Sequence, residues 1–190
     1  MTRARTIVAA SLIATALAVA LASLSDAGTA AAGARSASRA DRADAAVTAR
    51  SASGLAKRVL RLQNAVRRQH GLRRLELSRD LLRAARRHAR DMVRHHYFGH
   101  VSRGGRDVVD RVARTNYGHG ARFAVQENLY WWNRRRLASA VVRAWMSSPV
   151  HRANLLNPGF RQFAVAAVMQ TPYGGRGVTV VGVYGSRLAR

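Results

Sequence analysis

Two apolar runs near the C-terminus constrain the fold of this chain more than any other feature. Residues Phe160 to Met169 and Val178 to Tyr184 are rich in Val, Phe and Ala, and the turn-forming sequence TPYGGRG joins them. Their spacing predicts an antiparallel hairpin. Because apolar residues occupy both faces of each run, the sheet must be covered on both sides, so we expect helices above and below it.

The helices that could cover such a sheet lie upstream. Between residues 55 and 70 apolar side chains recur with helical spacing, and Gly71 stands where a left-handed cap would end this first helix. Ser78 is expected to cap a second helix, whose apolar stripe contains His88, interpreted as a satisfied core histidine. The other face of that helix is a row of arginines, interpreted as a solvated face: Arg79, Arg83, Arg86, Arg87, Arg90 and Arg94.

A third apolar pattern surrounds one of the two glutamates of the chain, Glu76 and Glu127. Residues Arg122 to Tyr130 alternate apolar and polar side chains, as a strand covered mainly on one side does. Glu127 comes near the end of this strand, before Trp131 and Trp132, an aromatic pair suited to the rim of a cleft. A carboxylate among apolar neighbours needs a partner or a function.

The sequence WMSSPVHRANLLNP combines the signals that begin and end a short helix. Ser148 is expected to cap the N-terminus through its hydroxyl oxygen, and Pro149 suits the first helical position, where an amide would have no partner. His151 then falls in the first turn, where the helix dipole favours a neutral ring able to bind a cation or accept a hydrogen bond. Asn157 and Pro158 end the helix. A tight helical connection with a surface histidine is the alternative interpretation.

The N-terminal residues have the pattern of a secretory leader. Residues 1–34 combine early arginines, a long apolar run and small residues suited to cleavage, so we expect a signal peptide there. The run is long enough to span a bilayer if uncut, so a membrane-tethered form is the alternative to secretion. Residues 35–54 lack an apolar period and are expected to be a disordered linker to a single domain over residues 55–190. Because the chain has no cysteine, packing and not disulfides must stabilise that domain.

The charge of the chain points to anionic partners. Its formal net charge is +24, carried almost entirely by arginine. Such a surface attracts anionic envelope polymers, and transiently membrane surfaces, at low salt and much less near physiological ionic strength. No nucleic-acid recognition module is present, and base-stacking aromatics do not interleave with the arginines, so we expect no specific nucleic-acid binding.

Several motifs, in this order and spacing, resemble one family. They are LQNAVRRQHGL, HARDMVRHHYFGHVSRGG, the pair Asp110-Arg111 followed by Tyr117, QENL, WMSSPVHRANLLNP and VTVVGVYG. Together they resemble the bacterial, extracellular branch of the CAP superfamily, the SCP-like group of cysteine-rich secretory, antigen-five and pathogenesis-related proteins. The resemblance implies an α+β fold, a three-layer α-β-α sandwich with a central antiparallel sheet and a cleft lined by histidine and acidic residues.

The resemblance also implies the site residues. His100 matches the histidine of the family's H-x-S segment, Glu127 the glutamate of its G-E-N segment, and His151 the histidine of its S-P-x-H-R segment. These three residues are the candidate metal ligands and the candidates for any catalytic role. The full set expected to line the cleft is His100, Ser102, Glu127, Asn128, Trp131 and His151. The residues expected to be structural, with Asn64 bonding a loop, are Asn64, Asp110, Arg111, Pro149 and Asn154.

Three functions are compatible with this site. Two histidines and one carboxylate with an open fourth position are the ligand set of a catalytic zinc site, which would make the protein a metal-dependent hydrolase. No H-E-x-x-H helix or G-x-S-x-G turn supports a known hydrolase class, although Ser102 near His100 could be activated. The favoured alternative is a secreted, monomeric, non-enzymatic domain that binds a small apolar or amphipathic ligand, with lipid or sterol as the class that the resemblance implies, or an envelope component. The third is a charge-driven binder of anionic wall polymers.

Overall fold

The computed structural model describes residues 39–120, 122–134 and 138–188. Five α-helices and four strands form in this part of the chain. The helices are α1 (Arg39–Gln69), α2 (Arg79–Arg94), α3 (Val108–Ala113), α4 (Ala138–Ser147) and α5 (Pro149–Leu156). The strands are β1 (Glu76–Leu77), β2 (Arg122–Trp132), β3 (Gln162–Val168) and β4 (Val178–Leu188).

The four strands make one mixed sheet in the order β1-β3-β4-β2. The predicted hairpin is confirmed, because β3 pairs antiparallel with β4, and β4 then pairs antiparallel with β2. The sheet is not purely antiparallel, as the resemblance implied, because β1 pairs parallel with β3. Parallel pairing requires a long crossover, and the chain between β1 and β3 supplies it.

Helices cover both faces of the sheet, which confirms the three-layer α-β-α sandwich. One apolar core joins α1, α4 and α5 to one face of the sheet, and a second joins α2 and α3 to the other. Alternation along β3 explains the division, since Phe163 and Val165 belong to the first core whereas Ala164 and Ala166 belong to the second. Gly182 is required by the first core, because a Cβ there would lie 2.9 Å from the ring of Trp145.

The first helix begins earlier than the sequence analysis predicted. Residues 39–54, expected to be a disordered linker, form the N-terminal half of α1. Their composition explains both the error and the outcome: they show no apolar period, yet alanine and arginine are strong helix formers, and extending an existing helix costs far less than nucleating one. Residues 35–38 and the predicted leader, residues 1–34, lie outside the described residues. Within the part described, no helix has the length and apolar character needed to cross a membrane.

The N-terminal caps of α3 and α5, the helices that carry Arg111 and His151, differ in their side-chain hydrogen bonds. Asp107 and Asp110 form a reciprocal capping box at the start of α3, which fixes the direction in which Arg111 leaves that helix. Ser148 occupies the N-cap position of α5 as predicted, but its side chain makes no capping hydrogen bond. Its carbonyl oxygen instead accepts the backbone amide of Arg152 at 2.8 Å, and Pro149 begins the helix.

Candidate functional site

Glu127 lies at the centre of a charged cluster on the α2 side of the sheet. Its side chain is 1% exposed. One carboxylate oxygen accepts a hydrogen bond from Arg111 Nη2 at 2.8 Å, and the other accepts one from His100 Nδ1 at 3.1 Å. A buried carboxylate is tolerated only when it is paired and hydrogen-bonded in this way. Because an ionised carboxylate can only accept, Nδ1 of His100 must carry the proton, and Nε2 of a neutral His100 ring is left as an acceptor.

Arg111 fixes the loop that carries His100. Its Nη1 donates to the carbonyl oxygens of His100 at 2.9 Å and Arg106 at 2.7 Å, and to Ser102 Oγ at 3.2 Å. The sequence analysis assigned Arg111 a structural role. The structure directs its guanidinium to this loop and to Glu127, while Asp110 completes the capping box of α3. A single side chain therefore connects the carboxylate to the backbone that presents the histidine.

His88 is the satisfied core histidine that the sequence analysis expected, and it also belongs to this cluster. It is 1% exposed, and its Nε2 lies 2.9 Å from the Gly99 carbonyl oxygen and 3.7 Å from Glu127. Since a carbonyl only accepts, Nε2 carries the proton, and Nδ1 is left to accept from Ser102 Oγ at 3.5 Å, because the Tyr97 hydroxyl, also 3.5 Å from Nδ1, donates its single hydrogen to Asp91. Burial lowers the pKa of His88, and the nearby Glu127 offsets only part of that effect. The feature of the sequence that could have indicated this place in the cluster is a polar residue within an otherwise apolar helical stripe.

Ser102 faces His88 and not His100. It is 6% exposed, and its hydroxyl oxygen accepts from Arg111 while its hydrogen is directed to the acceptor nitrogen of His88. Ser102 is therefore buried and does not line an open cleft as expected. Its histidine partner is His88 and not His100. The loop turns between the two residues, so His100 faces outward, with a side chain that is 56% exposed, and Ser102 faces the interior.

His151 reaches the site from α5. It is half-buried, and its pKa is lowered first by burial and then by the charge of His100. The second effect means that the charge of His100 is near enough to disfavour protonation of His151. The predicted convergence of His100 and Glu127 is therefore seen as a direct hydrogen bond, and His151 approaches as an electrostatic neighbour of His100.

The predicted metal-ligand set of His100, Glu127 and His151 does not fit a metal ion. Among the residues that the structure describes, no group of three His, Cys, Asp or Glu side chains is arranged to hold one. The physical reason is the pairing of Glu127: both of its oxygens are engaged, one of them by the guanidinium of Arg111. A cation placed there would compete with a fixed positive charge within hydrogen-bond distance.

An aromatic ledge, formed by Phe98, Trp131 and Tyr173, continues from the charged cluster. Trp131 follows Glu127 by four residues on β2, so the two side chains lie on the same face of the strand. The ring of Trp131 lies edge-on to Phe98 at 6.4 Å between centroids and to Tyr173 at 5.4 Å. Tyr173 is 59% exposed and Trp131 is half-buried, so this ledge meets solvent beside the histidines.

Asn128 is not a cleft residue, in contrast to the prediction. It follows Glu127 directly, so strand alternation points its side chain to the opposite face of the sheet, where it is fully buried. Its Nδ2 donates to the carbonyl oxygen of His151 at 2.9 Å and to the Tyr184 hydroxyl at 3.2 Å, and its Oδ1 accepts from Asn154 at 2.9 Å. The Tyr184 hydroxyl in turn donates to Gln63 at 2.8 Å. Asn128 therefore positions the helix that carries His151.

A second buried asparagine anchors α1. Asn64 donates to the carbonyl oxygen of Leu75 at 3.0 Å and accepts the Leu75 amide at 2.8 Å. This two-way bond ties α1 to the residue that precedes β1. The loop-bonding role proposed for Asn64 from the sequence corresponds to this contact.

Known proteins with similar sequences place these features in one family. The model of the CAP family, described as the cysteine-rich secretory protein family, matches residues 60–184. The chain is 34% identical over 118 residues to the protein YkwD of Bacillus subtilis, covering 62% of this chain and 44% of that protein. It is 32% identical over 109 residues to the membrane protein YlbC of the same organism, covering 57% of this chain and 30% of that protein. The chain thus spans less than half the length of these relatives.

Solved structures share the fold. An extracellular protein of Bacillus anthracis that contains an SCP domain superposes with a TM-score of 0.58 at 25% identity, covering 70% of this chain and 40% of that chain. An outer surface protein of Borrelia burgdorferi superposes with a TM-score of 0.59 at 21% identity, covering 70% of this chain and 92% of that chain, which is evidence for the fold alone. With a family model that matches most of the chain and a sandwich that carries its motifs, this protein belongs to the CAP, or cysteine-rich secretory protein, family.

Proposed function

We propose that this CAP domain is exported and acts as a non-enzymatic binding domain for an amphipathic ligand of the lipid or sterol class. The observation that carries the proposal is the aromatic ledge beside the charged cluster. Phe98 of this ledge comes two residues before the exposed His100, so we infer that one side of the site suits a hydrocarbon and the other a polar head. Export is supported by the leader-like residues 1–34 and by the extracellular description of the similar Bacillus anthracis protein.

The charged cluster would orient the polar end of the ligand. Glu127 binds the Nδ1–H of His100, which leaves Nε2 of that ring directed away from the carboxylate and able to accept a hydroxyl hydrogen. The lowered pKa of His151 favours a neutral ring at neutral pH, so the second imidazole can also accept or donate a hydrogen bond. A ligand hydroxyl, such as that of a sterol, is complementary to this pair.

The same geometry argues against the hydrolase alternative. Both oxygens of Glu127 already accept hydrogen bonds, one from Arg111 and one from His100, so neither is free to activate a water molecule. Ser102 is buried, and its oxygen already accepts from Arg111. A binding role requires neither group to react.

Tryptophan fluorescence tests the proposal. The chain has three tryptophans, of which Trp145 is buried, Trp131 is on the aromatic ledge and Trp132 points to the other side of β2. Titration with sterol or with phosphatidylcholine vesicles at moderate salt should shift the emission of the wild type and of Trp132→Phe. The shift should be lost in Trp131→Phe. An unchanged wild-type spectrum throughout the titration, or a shift that requires Trp132 and not Trp131, would refute the proposal.

A second candidate function, binding of anionic envelope polymers, is favoured by the arginine row on α2. All six arginines of this row are exposed, and one of them, Arg83, forms an ion pair with Asp80 at 3.4 Å. Like charges spaced along one helix repel each other, and a polyanion would relieve the repulsion. This function predicts binding to an anionic polymer that disappears as the salt concentration rises, whereas ledge-dependent lipid binding should persist.

A further inference from the structure

A cavity lies beside Arg111, and Glu127 is not among the residues that line it. It occupies about 230 Å³ between α2, the loop after His100 and α3. A water molecule takes up about 30 Å³ of the liquid, so the cavity has room for a small polyatomic ion together with several waters. Its lining residues are Arg87, His88, Asp91, Ser102, Arg106, Arg111 and Arg114.

Four arginine residues line this cavity from three parts of the fold. Arg87 comes from α2, Arg106 from the loop, and Arg111 and Arg114 from α3 and its C-cap. Within the described residues, no ion pair involves the exposed side chains of Arg87, Arg106 or Arg114, whereas Arg111 is held by Glu127. Three uncompensated positive charges facing one space repel each other unless an anion lies between them.

The remaining lining groups do not compensate this charge. Asp91 is the one acidic residue on the wall, and it already accepts from the Tyr97 hydroxyl and pairs with His95 at 2.9 Å. At the base, Ser102 and His88 share a hydroxyl hydrogen at 3.5 Å, a distance long enough for the hydroxyl to turn toward a better acceptor. The cavity therefore offers donors and positive charge, and needs an acceptor-rich, negatively charged group.

We propose that this arginine-lined cavity binds a phosphate group. Guanidinium groups recognise phosphate through paired N–H donors, and the several oxygens of a tetrahedral anion can satisfy arginines that approach from different directions. The site differs from the diffuse attraction expected of a net charge of +24, because it requires particular arginines from α2, the loop and α3 to act together. The cavity shares His88, Ser102 and Arg111 with the charged cluster, but its walls include neither His100, His151 nor the aromatic ledge.

Isothermal titration calorimetry with inorganic phosphate, at constant ionic strength, tests the site. We expect saturable binding with one phosphate per chain, and a loss of affinity of about tenfold or more in the double variant Arg87→Gln/Arg114→Gln. Arg106→Gln should weaken binding in the same direction. The matched control is Arg90→Gln, which removes the same charge from an exposed position of α2 that faces a different groove, and it should bind as the wild type does.

Two results would overturn the proposal. One is the absence of saturable phosphate binding to the wild type together with no pocket-dependent binding to vesicles. The other is an equal loss of affinity in Arg90→Gln and in the pocket variants, because diffuse charge would then explain the binding. Vesicles of phosphatidic acid, compared with phosphatidylcholine, identify the source of the phosphate. Pocket-dependent binding to phosphatidic acid without binding of free phosphate would assign the site to a lipid headgroup.

Discussion

Glu127 and Asn128 are consecutive residues of β2, yet they organise two different polar clusters on opposite faces of the sheet. On the α2 side the cluster is charged and opens to solvent through His100. On the α1 and α5 side it consists of amides and a hydroxyl and is buried. The charged cluster comprises Glu127, Arg111, His88, His100 and Ser102, and the amide cluster comprises Asn128, Asn154, Tyr184 and Gln63.

The difference between the clusters indicates a division of roles. A buried ion pair is a costly way to gain stability, because the desolvation of both charges offsets most of their attraction. Neutral amides give conformational specificity at a lower cost, and in the amide cluster they are paired except for the buried Nε2 of Gln63, which has no hydrogen-bond partner among the described residues. The amide cluster therefore fixes α5 and with it His151, whereas the charged cluster holds imidazole groups in defined orientations beside the cleft.

Removal of Arg111 should have the largest effect of any single change in these clusters. Arg111→Met would leave the Glu127 carboxylate buried and unpaired, which costs about 3–5 kcal/mol of unfolding free energy for buried pairs. It would also release the carbonyls of His100 and Arg106. Urea denaturation followed by circular dichroism measures this loss.

The double variant Arg111→Met/Glu127→Gln separates charge from packing. If the unpaired carboxylate causes the loss, removing its charge should recover part of the stability, and the control Arg114→Met, at an exposed position three residues away, should stay near wild type. A double variant as unstable as Arg111→Met alone would show that the ion pair is not what distinguishes this cluster.

Asn128→Ala should destabilise the other cluster by a smaller amount. The substitution leaves the Tyr184 hydroxyl, the Asn154 amide and the carbonyl of His151 each without one partner, and unsatisfied buried groups cost about 1–3 kcal/mol. The exposed Asn133→Ala is the control. A loss for Asn128→Ala as large as that for Arg111→Met would contradict the proposed difference between amide and ionic clusters.

A second readout of Asn128→Ala concerns the site. Because Asn128 bonds the backbone of His151, its loss should broaden the NMR signals of the His151 ring while those of His88 stay sharp. Equal broadening of both rings would mean that the clusters are not independent.

Periodicity predicted the hairpin of β3 and β4 and the helices on both sides of it, because apolar spacing reports which face of an element is buried. The resemblance in motif order implied the meeting of His100 with Glu127, whereas β1 and its parallel pairing were not predicted. The partners of Glu127 were harder to predict: Arg111 and His88 approach it only after α3 has been capped by Asp107 and packed against α2. Such contacts are set by how elements pack and not by spacing along the chain.

Two errors have local causes. Asn128 was assigned to the cleft by resemblance, although alternation along a strand sends consecutive side chains to opposite faces. The N-terminal half of α1 was missed because helix propensity without an apolar period leaves no pattern in the sequence.

The pH dependence of stability should show the smallest effect and sharpen the contrast between the clusters. Burial lowers the pKa of His88 below its ordinary 6.5, opposed by Glu127 from β2 and Asp91 from α2 and reinforced by Arg111 from α3. Below pH 6.5 the His88 ring of the unfolded chain therefore binds a proton that the ring in the folded chain does not bind, so the free energy of unfolding falls as the pH is lowered from 6.5 through the folded pKa.

His88→Gln, whose amide can still donate to Gly99, should reduce the slope of unfolding free energy against pH. His151→Gln should reduce this slope less because that ring is only half-buried. The exposed His119→Gln is the control, and since the amide cluster contains no group that titrates in this range, Tyr184→Phe should leave the slope unchanged. A slope that His88→Gln leaves intact would show that the charged cluster does not hold this imidazole neutral.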